Sequence, residues 1–265
     1  MTDAHVHIGW FVDRYHSPDD VTVMLRNAGV DTIAVSSTST CAEDYDLVIH
    51  EMSWLQEEWG ANCYPFLWVT PKMIETNAID EMLESGIKWQ GVKMHWQAHP
   101  RFFYEESLVD RVIQDSRLSH LPVLLHTGLF PECHAAVFDR LIRMNPERQF
   151  ILAHGRPYDE SLALLSKYPN TFVDTAFMEV SDIASYVKRG LEKRILFGSD
   201  CPITEHFGHK NTTEYLKRRI EWLQKHFSND ISDDILTDNF KRLYQTTTVG
   251  GFQSYIESAE SLERT

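Results

Sequence analysis

The chain has 265 residues, of which 43% are hydrophobic, and a formal net charge of −14 at pH 7 with the histidines neutral. This length and composition suit a folded chain with a large core and argue against disorder. The negative charge argues against a nucleic-acid partner.

Eight short apolar runs follow one another along the chain and predict eight strands. They cover Ala4–His7 and residues 31–37, 63–69, 91–95, 121–126, 150–154, 171–175 and 194–200. Runs rich in Val, Ile, Leu and Phe are typical of strands that are buried on both faces, as in a parallel sheet.

Helix-like stretches lie between the runs. The first begins with Ser17 as N-cap and Pro18 at the first helical position, and it ends at Gly29. Stretches such as DESLALLSKY and VSDIASYVKRGLE repeat the pattern, and NTTEYLKRRIEWLQKHF follows the eighth run. The spacing of roughly 20–35 residues per repeat is that of β–α units.

Eight such units predict an α/β fold, a distorted (β/α)8 TIM barrel, which needs about 250 residues. A doubly wound open sheet is the alternative, but it would want a glycine-rich first turn, and HVHIGW contains no G-x-G-x-x-G. Because no linker rich in Pro, Gly or Ser interrupts the chain, we expect a single domain over residues 1–265. The barrel would cover about 2–245, followed by a C-terminal extension at 246–265.

Residues that suit a metal site stand at the ends of the runs. They are His5 and His7 in the first run, Lys93 and His95 in the fourth, His126 in the fifth, His154 in the sixth and Asp200 in the eighth. Active sites of such barrels lie at the C-terminal ends of the strands. We therefore expect a metal site there, with both imidazoles of H-x-H on the same side of their strand.

Four motifs in order resemble the amidohydrolase superfamily of metal-dependent barrel enzymes. They are D-A-H-V-H at 3–7, L-L-H-T-G at 124–128, L-A-H-G at 152–155 and F-G-S-D-C-P at 197–202. The chain looks most like the amidohydrolase 2 branch, which includes hydrolases, lactonases, hydratases and non-oxidative decarboxylases. The segment ILTDNFKRLY at 235–244 is similar to the closing helix of that branch, so the resemblance extends from Asp3 to about Tyr244.

The resemblance implies a metal held by His5, His7, His126 and Asp200. Asp200 would also act as general base toward a metal-activated water, and His154 would be a catalytic proton donor or orienting group, or a ligand of a second ion. Asp3 would accept a hydrogen bond from a ligand imidazole or from backbone.

The metal number depends on how Lys93 is used. We expect one divalent ion, with zinc as the first choice and two ions as the alternative. In two-metal relatives a lysine at this place is carboxylated and bridges the ions. Otherwise Lys93 stays an ammonium group that binds a substrate carboxylate or pairs with an acid in the barrel.

Three residues are predicted to bind substrate. Arg156, which follows His154, is placed to bind a carboxylate through two hydrogen bonds. Trp68 at the end of the third run would form a wall of the pocket, with loop packing as the alternative. His95 would contact substrate, with metal ligation or a hydrogen bond in the core as alternatives.

The predicted function is metal-dependent hydrolysis of a C–O or C–N bond in a small molecule such as a lactone, a cyclic amide or an amide. The alternative is a lyase, a non-oxidative decarboxylase or a hydratase that acts on a small carboxylate at the same site. The sequence leaves these two open, whereas a metal-dependent nuclease and a barrel without activity are disfavoured.

The compartment is predicted from what the sequence lacks. There is no signal-like N-terminus and no apolar run of the ~18 residues that a membrane span needs. Cys41, Cys63, Cys133 and Cys201 form no C-x-x-C pair, which favours reduced thiols. We therefore expect a cytoplasmic enzyme with a small-molecule substrate and no membrane contact; a homodimer is one oligomeric state that the sequence allows.

Overall fold

A computed structural model describes residues 1–209 and 211–245. Its strands are β1 (Thr2–Phe11), β2 (Arg14–His16), β3 (Thr32–Ser37), β4 (Cys63–Trp68), β5 (Gly91–Met94), β6 (Val123–His126), β7 (Phe150–Ala153), β8 (Thr171–Asp174) and β9 (Ile195–Leu196). Each of the eight predicted runs overlaps one of the strands β1 and β3 to β9. The predicted C-terminal extension at 246–265 lies outside the described residues.

The sheet closes into a barrel of eight parallel strands. The strand order is β2-β1-β3-β4-β5-β6-β7-β8-β9, and only β2 runs antiparallel to its neighbour. The last strand returns to the first, because Ala4 N–H donates to Phe197 O at 2.8 Å and Asp200 N–H donates to His5 O at 2.8 Å. The predicted (β/α)8 barrel is confirmed.

Helices surround the barrel. They are α1 (Pro18–Asn27), α2 (Tyr45–Trp59), α3 (Pro71–Thr76), α4 (Ala78–Glu84), α5 (Arg101–Tyr104), α6 (Glu106–Gln114), α7 (Asp139–Met144), α8 (Tyr158–Lys167), α9 (Val180–Lys188), α10 (Thr212–His226), α11 (Asn229–Asp233) and α12 (Asn239–Gln245). As predicted, the Ser17 side chain caps α1 by accepting a hydrogen bond from Asp20 N–H. No helix in the described part of the chain is long and apolar enough to cross a membrane.

Apolar side chains form two separate clusters, one between the strands and the helices and one inside the barrel. The inner cluster contains Phe66, Ile151 and Phe172 from the strands, together with Phe240 and Leu243 from α12. Helix α12 therefore closes the N-terminal end of the barrel. The opposite end stays free of this apolar plug, and the polar residues of the strand ends lie there.

A β-bulge in β1 precedes the two histidines. The pairing of β1 with β3 shifts between Asp3 and Val6. Ala4 belongs to the inner cluster and Val6 to the outer one, although a regular strand would place both on one face. Asp3 is fully buried, and its Oδ1 accepts hydrogen bonds from His5 N–H (3.2 Å) and Ser199 N–H (3.0 Å). Of the two expected roles for Asp3, the structure shows the acceptance of backbone hydrogen bonds.

A buried carboxylate holds the loop that follows β3. Glu51 of α2 is fully buried, and it accepts hydrogen bonds from the hydroxyls of Ser37 and Ser39. Gly9 lies against the same loop, since a Cβ at Gly9 would stand 2.4 Å from Ser39 Oγ. Burial raises the pKa of Glu51, and the hydroxyl donors only partly oppose that rise.

This raised pKa predicts a pH-dependent stability. The fold favours protonated Glu51, so its contribution is fully present below the ordinary carboxyl pKa and is lost as pH rises through the folded value. Glu51→Gln should therefore gain unfolding free energy relative to the wild type as pH rises from 4 to 7, measured by urea denaturation. Exposed Glu147→Gln is the control, and an equal pH profile for all three proteins would contradict the prediction.

Arg148 satisfies three backbone carbonyls before β6. Its guanidinium is buried and donates to Leu121 O (2.9 Å), Ile113 O (3.1 Å) and Leu118 O (2.9 Å). Removal of such a donor leaves buried carbonyls without partners, which costs more than loss of a surface contact.

Arg148→Ala should lower the unfolding free energy by roughly 3 kcal/mol because three charge-assisted hydrogen bonds are lost. Arg143→Ala, on the exposed face of α7, should change it by less than about 0.5 kcal/mol. Chemical denaturation of both variants checks this difference, and equal losses would contradict it.

Candidate metal centre

All the predicted site residues line one cavity of about 440 Å³ at the C-terminal end of the barrel. They are His5, His7, Trp68, Lys93, His95, His126, His154, Arg156 and Asp200. The barrel brings them together because each stands at or just after the end of a parallel strand. Residues up to 195 positions apart in the sequence thus share one pocket. His5 and Asp200 are the example, because His5 Nε2 lies 3.4 Å from Asp200 Oδ1.

The centre of the pocket is formed by the H-x-H pair and one carboxylate. His5 Nε2 lies 3.1 Å from His7 Nε2. Asp200 Oδ1 lies 3.0 Å from His7 Nε2 and 3.4 Å from His5 Nε2. All three side chains are buried, and their ligand atoms lie close enough together to hold one metal ion.

The outer nitrogens of both imidazoles are already used as donors. His7 Nδ1 faces the Ser36 carbonyl at 3.3 Å, and His5 Nδ1 faces the Asp174 carboxylate at 2.9 Å. His7 Nδ1 also lies 3.0 Å from the Ser36 hydroxyl, which can accept as well as donate. Since all three partners can accept hydrogen bonds, we assign the proton of each ring to Nδ1. Each Nε2 then carries a lone pair that points into the pocket.

The donor atoms of His5, His7 and Asp200 are arranged as a metal ion requires. Two imidazole nitrogens and a carboxylate oxygen face one another within 3.4 Å, and the Lys93 ammonium group lies 3.0 Å from one of them, His5 Nε2. A divalent ion bound between the three atoms would offset the repulsion among them. A proton on His5 is disfavoured, because burial and the nearby Lys93 lower its pKa well below the ordinary value. Neutral imidazoles plus a carboxylate are a typical donor set for a divalent ion of the zinc type, so the residues fit.

Asp200 is ionised at neutral pH. Burial raises its pKa, but interaction with a positive charge on the facing imidazoles of His5 and His7 outweighs burial and lowers the pKa below the usual carboxyl range, so the three groups favour a positive charge held between them. Backbone geometry also singles out this residue, since φ of Asp200 is 59°, in the left-handed region. Such a conformation is uncommon outside glycine and is concentrated at functional sites.

Lys93 reaches the same group of atoms. Its Nζ lies 3.0 Å from His5 Nε2 and 5.7 Å from the centre of the Trp68 ring. The side chain is buried, which lowers the pKa of Lys93 to about 8. An unmodified Lys93 was expected either to bind a substrate carboxylate or to pair with an acid in the barrel. In the described residues Lys93 makes no hydrogen bond to an acid. The question of carboxylation stays a prediction.

His154 follows β7 and approaches the centre from the other side. Its φ of 69° is left-handed, and its Nδ1 lies 3.1 Å from the Ala176 carbonyl. This hydrogen bond directs the Nε2 lone pair toward the pocket, and the ring centre lies 5.2 Å from that of His5. Burial lowers the pKa of His154, so the ring is neutral at pH 7.

His126 lies on the pocket wall beside the centre. Its Nε2 is 3.2 Å from Gln97 Oε1, and its ring stacks on His95 with centres 3.7 Å apart. Its nitrogens do not join the group of His5, His7 and Asp200. The structure thus brings three of the four predicted ligands together, while ligation by His126 stays a prediction.

The predicted substrate residues form the walls. The His95 ring lies parallel to Trp68, with 5.4 Å between ring centres, so Trp68, His95 and His126 form one stack. Arg156 donates from Nη2 to Phe177 O at 2.7 Å, and its guanidinium lies 6.0 Å from the Phe177 ring. The remaining N–H groups of its side chain make no hydrogen bond within the described residues.

The sequence did not predict several residues of the site, among them Asp174 and Phe177. Asp174 ends β8 and contacts His5, and Phe177 in the following loop lines the pocket beside Arg156. The signal for Asp174 was present, because the run TFVDT carries an acid at its C-terminal end, as the other runs carry histidines. Phe177 had no such signal, because a loop aromatic is equally consistent with ordinary packing.

Comparison with known proteins identifies the family. The amidohydrolase family model matches residues 2–246, which is nearly the whole chain and confirms the resemblance. No curated protein matches at a significant level.

Solved structures share the fold at low sequence identity. A probable 2-pyrone-4,6-dicarboxylic acid hydrolase from Acinetobacter baumannii, with citric acid bound, is 14% identical, covers 92% of this chain and 98% of its own, and has a TM-score of 0.58. The 4-oxalomesaconate hydratase from Rhodopseudomonas palustris is 15% identical, covers 99% of both chains, and has a TM-score of 0.56. The 5-carboxyvanillate decarboxylase from Novosphingobium aromaticivorans, complexed with manganese and a nitrobenzoic acid, is 12% identical, covers 84% and 79%, and has a TM-score of 0.58.

The donor set predicts that metal stabilises the protein. After chelator treatment, zinc at 100 times its Kd should raise the unfolding free energy by about 2.7 kcal/mol, because the ion binds the folded state. His7→Ala and Asp200→Asn should lose most of this gain, since each removes a lone pair from the centre. Thermal unfolding with and without zinc measures it. His134→Ala, on the surface, is the control, and an equal gain in all variants would place the metal elsewhere.

Proposed function

Because the chain belongs to the amidohydrolase family, we propose that it is a metal-dependent enzyme that hydrolyses a C–O or C–N bond in a small carboxylate. Lactones, cyclic amides and amides are the substrate types. The observation that carries the proposal is the group of His5 Nε2, His7 Nε2 and Asp200 Oδ1, three metal donors within 3.4 Å of one another in a pocket that also holds Arg156.

His5, His7 and Asp200 would hold the ion, with His126 as the fourth ligand. A divalent ion such as zinc, when bound, lowers the pKa of water and polarises a carbonyl group. We propose one ion, because in the group of His5, His7 and Asp200 no backbone N–H donates to the carboxylate within the described residues, although Lys93 Nζ lies 3.0 Å from His5 Nε2. The second group, His5, His154 and Asp174, has both carboxylate oxygens occupied by N–H donors.

Asp200 and His154 are the catalytic pair in this proposal. Asp200 is ionised and lies at the centre, so it is suited to accept a proton from the attacking water. His154 is neutral, with Nδ1 bonded to Ala176 O, so its Nε2 is suited to accept a hydrogen bond and orient the water or the substrate. Of the roles predicted for His154, orientation therefore fits better than proton donation.

Arg156 would bind the substrate carboxylate. A guanidinium has five N–H donors in a planar arrangement that matches a carboxylate. Among the described residues one of these donors is used, in the bond to Phe177 O. The Phe177 ring beneath the guanidinium and the exposed Phe207 ring, 5.4 Å from Phe177 between centres, form an apolar path from Arg156 to solvent. The site therefore suits a carboxylate with a flat or apolar body, with Trp68 and His95 on the opposite wall.

Similar structures support this substrate class. The hydrolase from Acinetobacter baumannii holds citric acid, and the decarboxylase from Novosphingobium aromaticivorans holds manganese with a substituted benzoic acid. We extend from them to this chain only the class, a small carboxylate at a divalent metal.

A lyase is the second candidate. The stack of Trp68, His95 and His126 offers a parallel aromatic surface beside the metal donors, which suits an aromatic carboxylate. Such a substrate is consistent with non-oxidative decarboxylation, in which the carboxylate leaves as carbon dioxide and the ring carbon gains a proton.

Product analysis separates the two candidates. Protein reconstituted with zinc or manganese would be incubated with carboxylated lactones, cyclic amides and hydroxybenzoates. Ring opening without gas supports hydrolysis, whereas release of carbon dioxide supports the lyase. Absence of turnover on every class, in protein shown to contain stoichiometric metal, would contradict the proposal.

Arg156→Ala should raise KM for the active substrate by about 10- to 100-fold, with a smaller effect on kcat, because a two-bond ion pair to carboxylate is lost in both ground and transition states. Arg156→Lys should recover only part of the loss, since an ammonium cannot make the planar pair. Steady-state kinetics measure both values. Exposed Arg189→Ala is the control, and an unchanged KM in Arg156→Ala would remove Arg156 from the binding site.

A further inference from the structure

We infer that Asp174 is the positioning residue of this site. Its one carboxylate fixes which nitrogen of His5 faces the site and holds the backbone of His154 in place. The inference rests on the proposed metal-dependent function, because it concerns the residues that would hold and serve the ion. Asp174 ends β8. This strand lies beside β7, which precedes His154, and β9 separates it from β1, which carries His5.

The carboxylate of Asp174 is completely buried, and its hydrogen-bond partners are His5, His154 and Ala176. Its Oδ2 lies 2.9 Å from His5 Nδ1. Its Oδ1 accepts hydrogen bonds from His154 N–H at 3.0 Å and from Ala176 N–H at 2.9 Å. Three donors from three segments of the chain therefore converge on two oxygens.

The first contact decides which nitrogen of His5 can bind a metal. An imidazole that donates from Nδ1 keeps its lone pair on Nε2, which is the atom that faces His7 and Asp200. Without the carboxylate the proton could move to Nε2, and the ring would then present a donor to the site instead of a ligand.

The second contact holds a strained backbone. His154 has φ of 69°, a left-handed conformation that is strained for a residue other than glycine. Asp174 binds the N–H of that residue and also the N–H of Ala176, whose carbonyl in turn faces His154 Nδ1 at 3.1 Å. The main chain and the ring of His154 are thus both placed by the segment that Asp174 organises.

The backbone at Gly198 packs closely against Asp174. A Cβ at Gly198 would lie 2.9 Å from Asp174 Cβ and 3.0 Å from His5 Cβ, so glycine there allows the backbone to pack directly on the pair. Both oxygens of Asp174 accept hydrogen bonds from N–H groups, so each of them is used to hold a part of the site. Asp174 acts through the two histidines and is not itself a ligand.

An amide cannot replace this carboxylate. Asparagine has the same shape, but one of its two terminal groups is an NH2 donor, which would face either His5 Nδ1–H or the two backbone N–H groups. Asp174→Asn therefore forces His5 into the other tautomer or leaves the His154 backbone without its acceptor. Both outcomes weaken the site without a change in side-chain volume.

The test combines metal affinity with the tautomer of His5. Titration of chelator-treated protein with zinc should give a Kd about 10- to 100-fold weaker for Asp174→Asn than for the wild type, the range found when a partner of a metal-ligating histidine is removed. Nitrogen NMR of the metal-free wild type should show His5 protonated on Nδ1, and Asp174→Asn should show a shift toward protonated Nε2. Exposed Asp159→Asn is the control and should match the wild type in both readouts.

Two results would overturn the inference. One is a metal-free wild type in which His5 carries its proton on Nε2, a measurement that does not require any variant to fold. The other is a folded Asp174→Asn protein with unchanged zinc affinity and an unchanged His5 spectrum. If no substrate is found but Asp174→Asn loses zinc affinity and shifts the tautomer, the proposed reaction fails and the inference stands.

Discussion

The hydrogen bonds that His5 and His7 donate from Nδ1 determine what the rest of the site can do. Each proton is donated to an acceptor on another strand, the Ser36 carbonyl on β3 for His7 and the Asp174 carboxylate on β8 for His5. The Nε2 lone pairs are therefore forced to face each other at 3.1 Å, beside the ionised Asp200. A divalent ion bound between these atoms would offset the repulsion among them, beside the Lys93 ammonium group that lies 3.0 Å from His5 Nε2.

The closure of the barrel brings Asp200 beside the two histidines. The segment after β9 hydrogen-bonds to β1 through the backbone of His5 and His7, which places Asp200 next to them although it lies far away in the chain. Asp3 strengthens this closure by accepting hydrogen bonds from both segments. Burial raises the pKa of Asp3 to about 7, which shows how completely this part of the barrel is shielded from water.

The same shielding keeps the imidazoles neutral. Burial lowers the pKa of His5, His95 and His126, so a group of histidines that would repel one another as cations can be packed together. Positive charge at the pocket is then confined to Lys93 and Arg156, of which only Arg156 lies against the aromatic path to solvent. A negatively charged substrate with an apolar body agrees with this distribution of charge.

Much of the fold and part of the site could be predicted from the sequence. Apolar runs rich in Val, Ile, Leu and Phe predicted all eight barrel strands, because a strand that is buried on both faces has a continuous apolar pattern. The position of His5, His7, His154 and Asp200 at strand ends was sufficient to predict a shared pocket, since parallel strands end at the same face of the barrel. The hairpin from β1 to β2 had no comparable signal, because the exposed end of β1 and the three residues of β2 bury too little to mark the sequence.

The sequence by itself determined the barrel, the residue types of the centre and the family to which they belong. Only the tertiary structure decided which nitrogen of each histidine faces the pocket, because that depends on acceptors such as Asp174 and Ser36 from distant parts of the chain. It also decided that Lys93 contacts His5 and that Gln97 contacts His126, since side-chain direction at a bulged or ending strand does not follow from alternation. Residue identity sets which ligands are available, and the hydrogen bonds between strands set which of their atoms can be used.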